Sequence, residues 1–481
     1  MMTQQAFRRL THYFPLPILT NRQHYHWLIV CTVSIGAFMA ALDASIINIT
    51  LVNLEHSFQV SMATIEWVSL IYLLTLAALI VPFGSLSDIL GRRPMYTCGF
   101  LVFIIGSFLC AISPSLGALL CFRVIQGAGA AMLQANSVSI ITAASPSCVR
   151  GKAIGIQAFA QGLGLSVGPL AGGFFIDHAS WHTIFMINVP IGIFGILMAL
   201  MILPCSTSRE KRAHFDGLGA LLLACALVSI MYLLKEGTNN IGLLGGGLLV
   251  IVIILLLLGF FFWERKAKRP PLVQIAYLAK REIWLGNLTG ILSFSAMYAV
   301  TLLGPFWLIH ERGFSSLTAG LYLCAVPIGM AICTPLAGAL ADHVPARQLT
   351  MAGMMLVFLG ALCLAAAPTS LFVFLLGLFL VGCGLGTFTP PNNAKVMEAT
   401  AVAHLGVAGS ILNMSRTIGM GLGVTIGGVT YDLFVQMFGA QHLISAFRAS
   451  FLVAAIIALL TVIILLCNRP SAAHQDTQKT A

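Results

Sequence analysis

A chain of 481 residues that is 59% hydrophobic and only 8% charged, with a mean hydropathy of +0.96, departs far from soluble domains, which carry charge on about 25% of their residues. An ordinary soluble globule is excluded, and the surrounding solvent is lipid. The net charge of +10 follows from where the basic residues fall along the membrane topology, which leaves a nucleic-acid ligand little to explain.

Each helical crossing needs ~20 apolar residues, because backbone groups in lipid must be satisfied within their own segment. The sequence predicts an all-α, polytopic membrane protein with fourteen such spans. A cytoplasmic N-terminus over 1–26 holds Arg8, Arg9 and Arg22, and the first span follows near 27–50. It has the length of a full crossing and no small-residue cleavage site, so it reads as a retained helix and not a removed signal peptide. Asp43 lies within it. The second span, near 64–86, places Glu66 close to its outer end, where solvation would satisfy it. It runs into the loop Gly84-Ser-Leu-Ser-Asp88-Ile-Leu-Gly91-Arg92-Arg93. The glycines let this turn pack tightly between two helices, and Asp88 beside Arg92 and Arg93 offers a charge latch that one conformation makes and another breaks.

The third and fourth spans are predicted near 95–113 and 115–143, the latter carrying Arg123-Val-Ile-Gln126-Gly127-Ala-Gly129 and Asn136. A mid-helix cation costs several kcal/mol in a bilayer unless paired or hydrated, so Arg123 should face the bundle interior. At ~1.5 Å per residue, Asp43 lies about 12 Å and Arg123 about 10 Å from the same membrane face. These matched depths predict a pair, serving either proton coupling or structure alone. The fifth span, near 153–177, holds Gln157, Gln161 and Gly164-Leu-Ser-Val-Gly168-Pro169-Leu-Ala-Gly172-Gly173. Small residues four apart form a groove for close helix packing, and Pro169 permits a kink. A sixth span near 181–204 completes an N-terminal bundle over 27–204.

Two further spans, near 217–235 and 241–263, come before a basic connector over 264–282 that is expected to lie on the membrane surface. Six more follow near 283–310, 316–341, 348–367, 370–393, 404–432 and 446–468, with Tyr298 in the first of these and Asn413 and Arg416 in the fifth. They form a C-terminal bundle over 283–468, followed by a polar cytoplasmic tail over 469–481.

The two bundles are copies of one another. Gly338-Ala-Leu-Ala-Asp342-His-Val-Pro345-Ala346-Arg347 repeats the loop 254 residues on, with Pro345 and Ala346 in place of Gly91 and Arg92. Gly164, Gly168, Gly172 and Gly173 return 255 residues later as Gly419, Gly423, Gly427 and Gly428. The pattern is six helices, two inserted and six again, the mark of an internal duplication. Of 25 Lys and Arg, twenty fall in segments on the side of the N-terminus and only Lys235, Arg312 and Arg448 in loops opposite. The positive-inside rule then places both termini in the cytoplasm. The 12 cysteines form no CxxC pair and read as packing residues, and the 12 histidines fall in loops or at helix ends. No Walker-type loop is present, so ATP is not the direct energy source.

The Gly84 to Arg93 loop resembles the conserved cytoplasmic loop of the major facilitator superfamily, GxLxDxxGRR. Gly164 to Gly173 resembles the antiporter motif GxxxGPxxGG of its exporters, and Arg123 to Gly129 their RxxQGxG motif. With the segments around Asp43, Asn188 and Asn413 to Arg416, residues 27–468 resemble the fourteen-helix drug:proton antiporters of the EmrB/QacA type. The resemblance implies a major facilitator fold of two six-helix halves with two inserted helices, and no enzyme activity. It implies proton-motive-force-driven export (substrate:H+ antiport) of amphipathic drugs, dyes or secondary metabolites across the cell inner membrane. An uptake symporter or uniporter of the same fold is the alternative. Asp43 and Arg123 become the proton-coupling candidates. Glu66, Asn136, Gln157, Gln161, Tyr298, Asn413 and Arg416 become cavity candidates, each serving either as an interhelical hydrogen-bonding group or as a ligand contact. Expected partners are a small-molecule substrate and membrane lipid, with a periplasmic adaptor and outer-membrane channel in a Gram-negative host. No cofactor, metal or nucleic acid is expected.

Overall fold

The computed structural model describes residues 24–146, 149–204, 216–236, 242–266, 280–341, 343–366, 370–400, 405–439 and 442–468. Most of the predicted connector, the tail and Asp342 lie outside them. Fourteen helices among the described residues are long and apolar enough to cross a membrane, making this a multi-pass membrane protein. The first half comprises α1 (Tyr25–Phe58), α2 (Met62–Leu90), α3 (Arg92–Ala111), α4 (Leu116–Ala144), α5 (Arg150–His178) and α6 (Trp181–Ile202). The inserted pair is α7 (Gly217–Glu236) and α8 (Gly242–Lys266). The second half comprises α9 (Arg281–Glu311), α10 (Ser316–Leu340), α11 (Ala346–Ala366), α12 (Leu371–Glu398), α13 (Leu405–Phe438) and α14 (Leu443–Cys467).

Helix α1 runs eight residues past its predicted end. Hydropathy falls at Asn53, Glu55 and His56, but the backbone stays helical until Gln59, whose left-handed φ of 53° turns its N–H back to the Glu55 carbonyl. Helices α6 and α10 break at Ile187 and Cys324, three residues before Pro190 and Pro327, where a missing N–H frees a carbonyl of the preceding turn.

Because lipid tails are as apolar as leucine, helices associate here through close packing of small residues and not through hydrophobic exclusion. The glycine ladders show how. A Cβ on Gly164 would strike the Phe38 carbonyl and the Ala41 Cβ of α1, and on Gly168 it would fall within 3.0 Å of Ser45. The repeat is faithful: a Cβ on Gly419 would strike the Ile291 carbonyl and the Phe294 Cβ of α9. The duplicated sequence is thus a duplicated interface, α5 on α1 and α13 on α9. Gly168→Val should lower the thermal midpoint of purified protein by several degrees, since overpacking against backbone costs about 1–3 kcal/mol. An unchanged midpoint would mean that the α1–α5 seam yields.

With an even number of crossings, the start of α1 and the end of α14 share one face, called here the terminal face. Side-chain ties gather these ends: Arg281 donates to Asn468 at 3.0 Å, and the Tyr25 hydroxyl bonds the Ile202 carbonyl. The inserted α8 turns Leu248, Ile251, Leu255 and Phe262 outward, as a lipid-facing helix must.

Candidate functional site

Five helices of the first half deliver one buried polar cluster. Asp43 of α1 and Arg123 of α4 are both fully buried, with Arg123 Nη1 donating to Asp43 Oδ2 at 2.6 Å. The second carboxylate oxygen accepts from Gln126 Nε2 at 2.7 Å and from Asn188 Nδ2 of α6 at 3.1 Å. Gln126 also bonds Ser107 of α3 at 2.6 Å and accepts from Arg123 at 2.7 Å. Arg123 Nε reaches the Val68 carbonyl of α2 at 3.1 Å, and its guanidinium lies 4.3 Å from the Tyr72 ring centroid. Charge-assisted bonds of this kind are the strong ones, and in low dielectric each member is expensive to leave unmatched. Matched depth in the sequence brought Asp43 to Arg123. It did not identify Gln126 and Asn188 as partners of the same carboxylate, although both stand within the quoted segments.

At the face opposite the termini, carboxylates tie the halves together. Asp177 at the end of α5 accepts from the backbone N–H groups of Ser316 (3.2 Å) and Leu317 (2.9 Å), which open α10. Its counterpart 255 residues on, Asp432 of α13, lies 3.8 Å from Lys235, and Lys235 pairs with Glu66 of α2. Glu55 of α1 lies 3.7 Å from His310 of α9. The expectation of a solvated Glu66 is corrected here: its side chain is 0% exposed. Lys235, assigned from sequence to an outer loop, lies on α7 with its side chain only 2% exposed. The reason is tertiary, because the inserted helix packs across the α2–α13 seam and its last turn supplies the counter-ion. Glu66 therefore belongs to a distal seal and stands apart from the other cavity candidates.

Those others sit deeper. Arg416 Nη1 donates to Gln161 Oε1 at 2.6 Å, bridging α13 and α5, and Gln161 Nε2 reaches Gln134 of α4 at 3.3 Å. Gln157 is buried one turn before Gln161. Asn136 is buried and donates to the Met132 carbonyl of its own helix at 2.8 Å. Tyr298 and Asn413 are buried, with the Tyr298 hydroxyl and Asn413 Nδ2 lacking hydrogen-bond partners. A cavity of about 30 Å³ lies between α1, α5, α9 and α10, lined by Ser45, Asn48, Pro169, Tyr298, Thr301 and Pro327 among others. That holds about one water, whereas drug-sized ligands occupy roughly 300–1,000 Å³. In this conformation the space there is too small for a ligand of that size.

The loop at the terminal face is built from helix ends. Gly91 takes φ 97°, a left-handed value that favours glycine. Its counterpart Pro345 has φ locked near about −65° and cannot copy that turn. Arg92 lies 3.6 Å from Asp88 and donates to the Ser139 carbonyl of α4 at 3.1 Å, while Arg93 donates to the Leu200 carbonyl of α6 at 2.7 Å. The second copy keeps the last of these roles: Arg347 donates to the Leu465 (3.0 Å) and Leu466 (2.7 Å) carbonyls of α14. Both arginines cap the last turn of the sixth helix of their half, where the helix dipole favours a cation. Across the halves, a Cβ on Gly84 would lie 3.7 Å from Ser410 Oγ of α13, which donates to the Ala135 carbonyl at 3.2 Å.

Comparison with known proteins agrees with this architecture. A sequence profile of the Major Facilitator Superfamily matches residues 33–325 and 283–481. The riboflavin transporter RibZ of Clostridioides difficile is 32% identical over 420 residues, covering 87% of this chain and 89% of its own. The multidrug resistance protein Stp of Mycobacterium tuberculosis is 30% identical over 418 residues, covering 86% of this chain and 78% of its own. The crystal structure of the human organic anion transporter MFSD10 aligns with a TM-score of 0.65 over 92% of this chain and 99% of that one. At 16% identity it is a likeness of fold alone.

Proposed function

The chain belongs to the Major Facilitator Superfamily, and from that premise we propose that it exports amphipathic small molecules across the cell inner membrane in exchange for protons, with both termini cytoplasmic. The observation that carries this reading is the sealed Asp43 cluster. A carboxylate and a guanidinium buried inside a lipid-embedded bundle cost several kcal/mol to place there, and a transported proton is a use that accounts for the cost. Protonation of Asp43 removes the charge that Arg123, Gln126 and Asn188 converge on, so the protonated and deprotonated states favour different arrangements of α1, α4 and α6. The loop around Asp88 then acts as the terminal-face latch, and the carboxylate ties around Asp177, Glu66 and Glu55 as the distal one. Gly164, Gly168 and Gly172 form the seam on which α5 moves against α1, while Pro169 and Gly173 abut the first turns of α10.

Outward direction is supported by the antiporter-type sequence of α5 and by a relative named for multidrug resistance. Partners are the cargo and lipid, with a periplasmic adaptor and outer-membrane channel if the host is Gram-negative. Uptake of a small organic solute is the second reading, favoured by the likeness to a protein named a riboflavin transporter. Everted vesicles decide between them. An acid-interior gradient should drive an amphipathic dye inward to several times its equilibrium level, and nigericin should collapse the accumulation. Accumulation that survives nigericin removes proton coupling. Cargo expelled from everted vesicles reverses the direction.

A further inference from the structure

We propose that the cargo is a planar aromatic anion, gripped by Arg416 against the Phe294 and Tyr298 rings; the proposal rests on the transport reading for the premise that cargo binds between the halves. Its first support is position. Gln161 and Arg416 are 255 residues apart, the spacing that relates the α5 and α13 glycine ladders, so they are the same position in the two copies. Yet they touch, at 2.6 Å. Equivalent positions of two repeats can meet only where the relating axis passes between them, which is the centre of the inter-half seam.

The second support is charge. Among the described residues, every ion pair inside the bundle is accounted for without Arg416: Asp43 with Arg123, Glu66 and Asp432 with Lys235, Glu55 with His310. Among the described residues, no carboxylate lies within ion-pairing distance of the Arg416 guanidinium. An unmatched cation in low dielectric is costly, and a ligand that brings the counter-charge removes that cost. Arginine is also suited to a carboxylate or phosphate, since its planar fork meets two oxygens at once. A lipophilic cation gains nothing here: the nearest charge repels it, and Asp43 is enclosed in its own shell of donors.

The third support is the surrounding chemistry. The Arg416 guanidinium lies 5.1 Å from the Phe294 ring centroid. One helical turn along α9, Tyr298 lines the cavity with a hydroxyl that has no partner, and one turn before Arg416 the amide nitrogen of Asn413 is likewise unpartnered. Both side chains are more than nine-tenths buried. Hydroxyl and amide N–H groups held without acceptors beside a guanidinium suit an acceptor-rich ligand, and flat rings suit an aromatic one.

Two xanthene dyes of one ring system and opposite charge test this on purified full-length protein, by equilibrium dialysis: fluorescein, an anion, and rhodamine 123, a cation. Fluorescein should bind the unmodified protein on the order of tenfold more tightly or better, the worth of one charge-assisted contact. Arg416→Gln should weaken fluorescein by about the same factor and leave rhodamine 123 unchanged or tighter, while Arg416→Lys retains part of the anion preference. The idea is overturned if rhodamine 123 binds the unmodified protein as well as fluorescein does, or if neither dye binds. It also falls if Arg416→Gln weakens both dyes alike, as loss of a mere inter-half strut would. The unmodified protein alone decides if the glutamine variant fails to fold. Fluorescein binding without proton-driven accumulation in everted vesicles would remove the export reading and leave this one standing.

Discussion

Asp43→Asn should abolish proton-driven transport, at least a hundredfold below the unmodified protein, while cargo still exchanges down its own gradient. The substitution fixes a neutral side chain at the point where Arg123, Gln126 and Asn188 converge, so the cluster no longer differs between proton-loaded and proton-free states. It also strands Arg123. Removing one partner of a buried pair costs about 3–5 kcal/mol, reduced here because Arg123 keeps the Val68 carbonyl, the Gln126 amide oxygen and the Tyr72 face. Stability and coupling are therefore confounded in the single variant. The double variant Asp43→Asn with Arg123→Gln separates them, since it leaves no unmatched charge and should recover most of the folded yield. If Asp43 carries the proton, the double variant folds and still does not pump. A structural pair would instead recover both. Stable Asp43→Asn protein that accumulates cargo against its gradient on a proton gradient would rule Asp43 out as the obligatory coupling site.

The distal seal gives the second large effect. Lys235→Met leaves Glu66 wholly buried beside Asp432 without its cation, and about 3–5 kcal/mol of stability should be lost. That shows as a drop in the thermal midpoint of purified protein. Glu66→Gln alone strands Lys235 less severely, because Asp432 remains 3.8 Å away. Combining Glu66→Gln with Lys235→Met should restore much of the loss, and the coupling energy from this double-mutant cycle measures the pair itself. Single and double variants with equal midpoints would show that α7 merely rests against the bundle. The effect has a geometric origin: Glu66 is on α2, Asp432 on α13 and Lys235 on the inserted α7, so one lysine joins both halves to the insertion. The Glu66 carboxylate also lies against Gly428, where a side chain would displace it. The insertion is thereby a structural member of the distal closure.

The duplication shows how far sequence spacing reaches. Equal spacing of glycines on α5 and α13 announced two equivalent seams, and the structure lays Gly164, Gly168 and Gly172 on α1 and Gly419, Gly423 and Gly427 on α9, while Gly173 and Gly428 face α10 and α2 of the opposite half. The surviving arginine of the degraded loop, Arg347, does the work of Arg93 at another helix end. Spacing did not disclose that Gln161 and Arg416 meet, although their separation equals the repeat, because a repeat period says nothing about where its axis lies.

Hydropathy and spacing along the chain suffice for the set of crossings, the two copies and the depth of Asp43 against Arg123. All three are local: a helix in lipid must satisfy its own backbone within about 20 residues, and depth follows from rise per residue. The tertiary structure alone decided which side chains meet at a given depth. Gln126 and Asn188 joined Asp43, Lys235 turned inward to Glu66, and α1 ran on to Phe58. The physical reason is that lipid and protein core are equally apolar, so a spanning helix has no polar back and apolar front to reveal its rotation. Rotation chooses the partner, and it is set by close packing of small residues against neighbours that the linear pattern does not name.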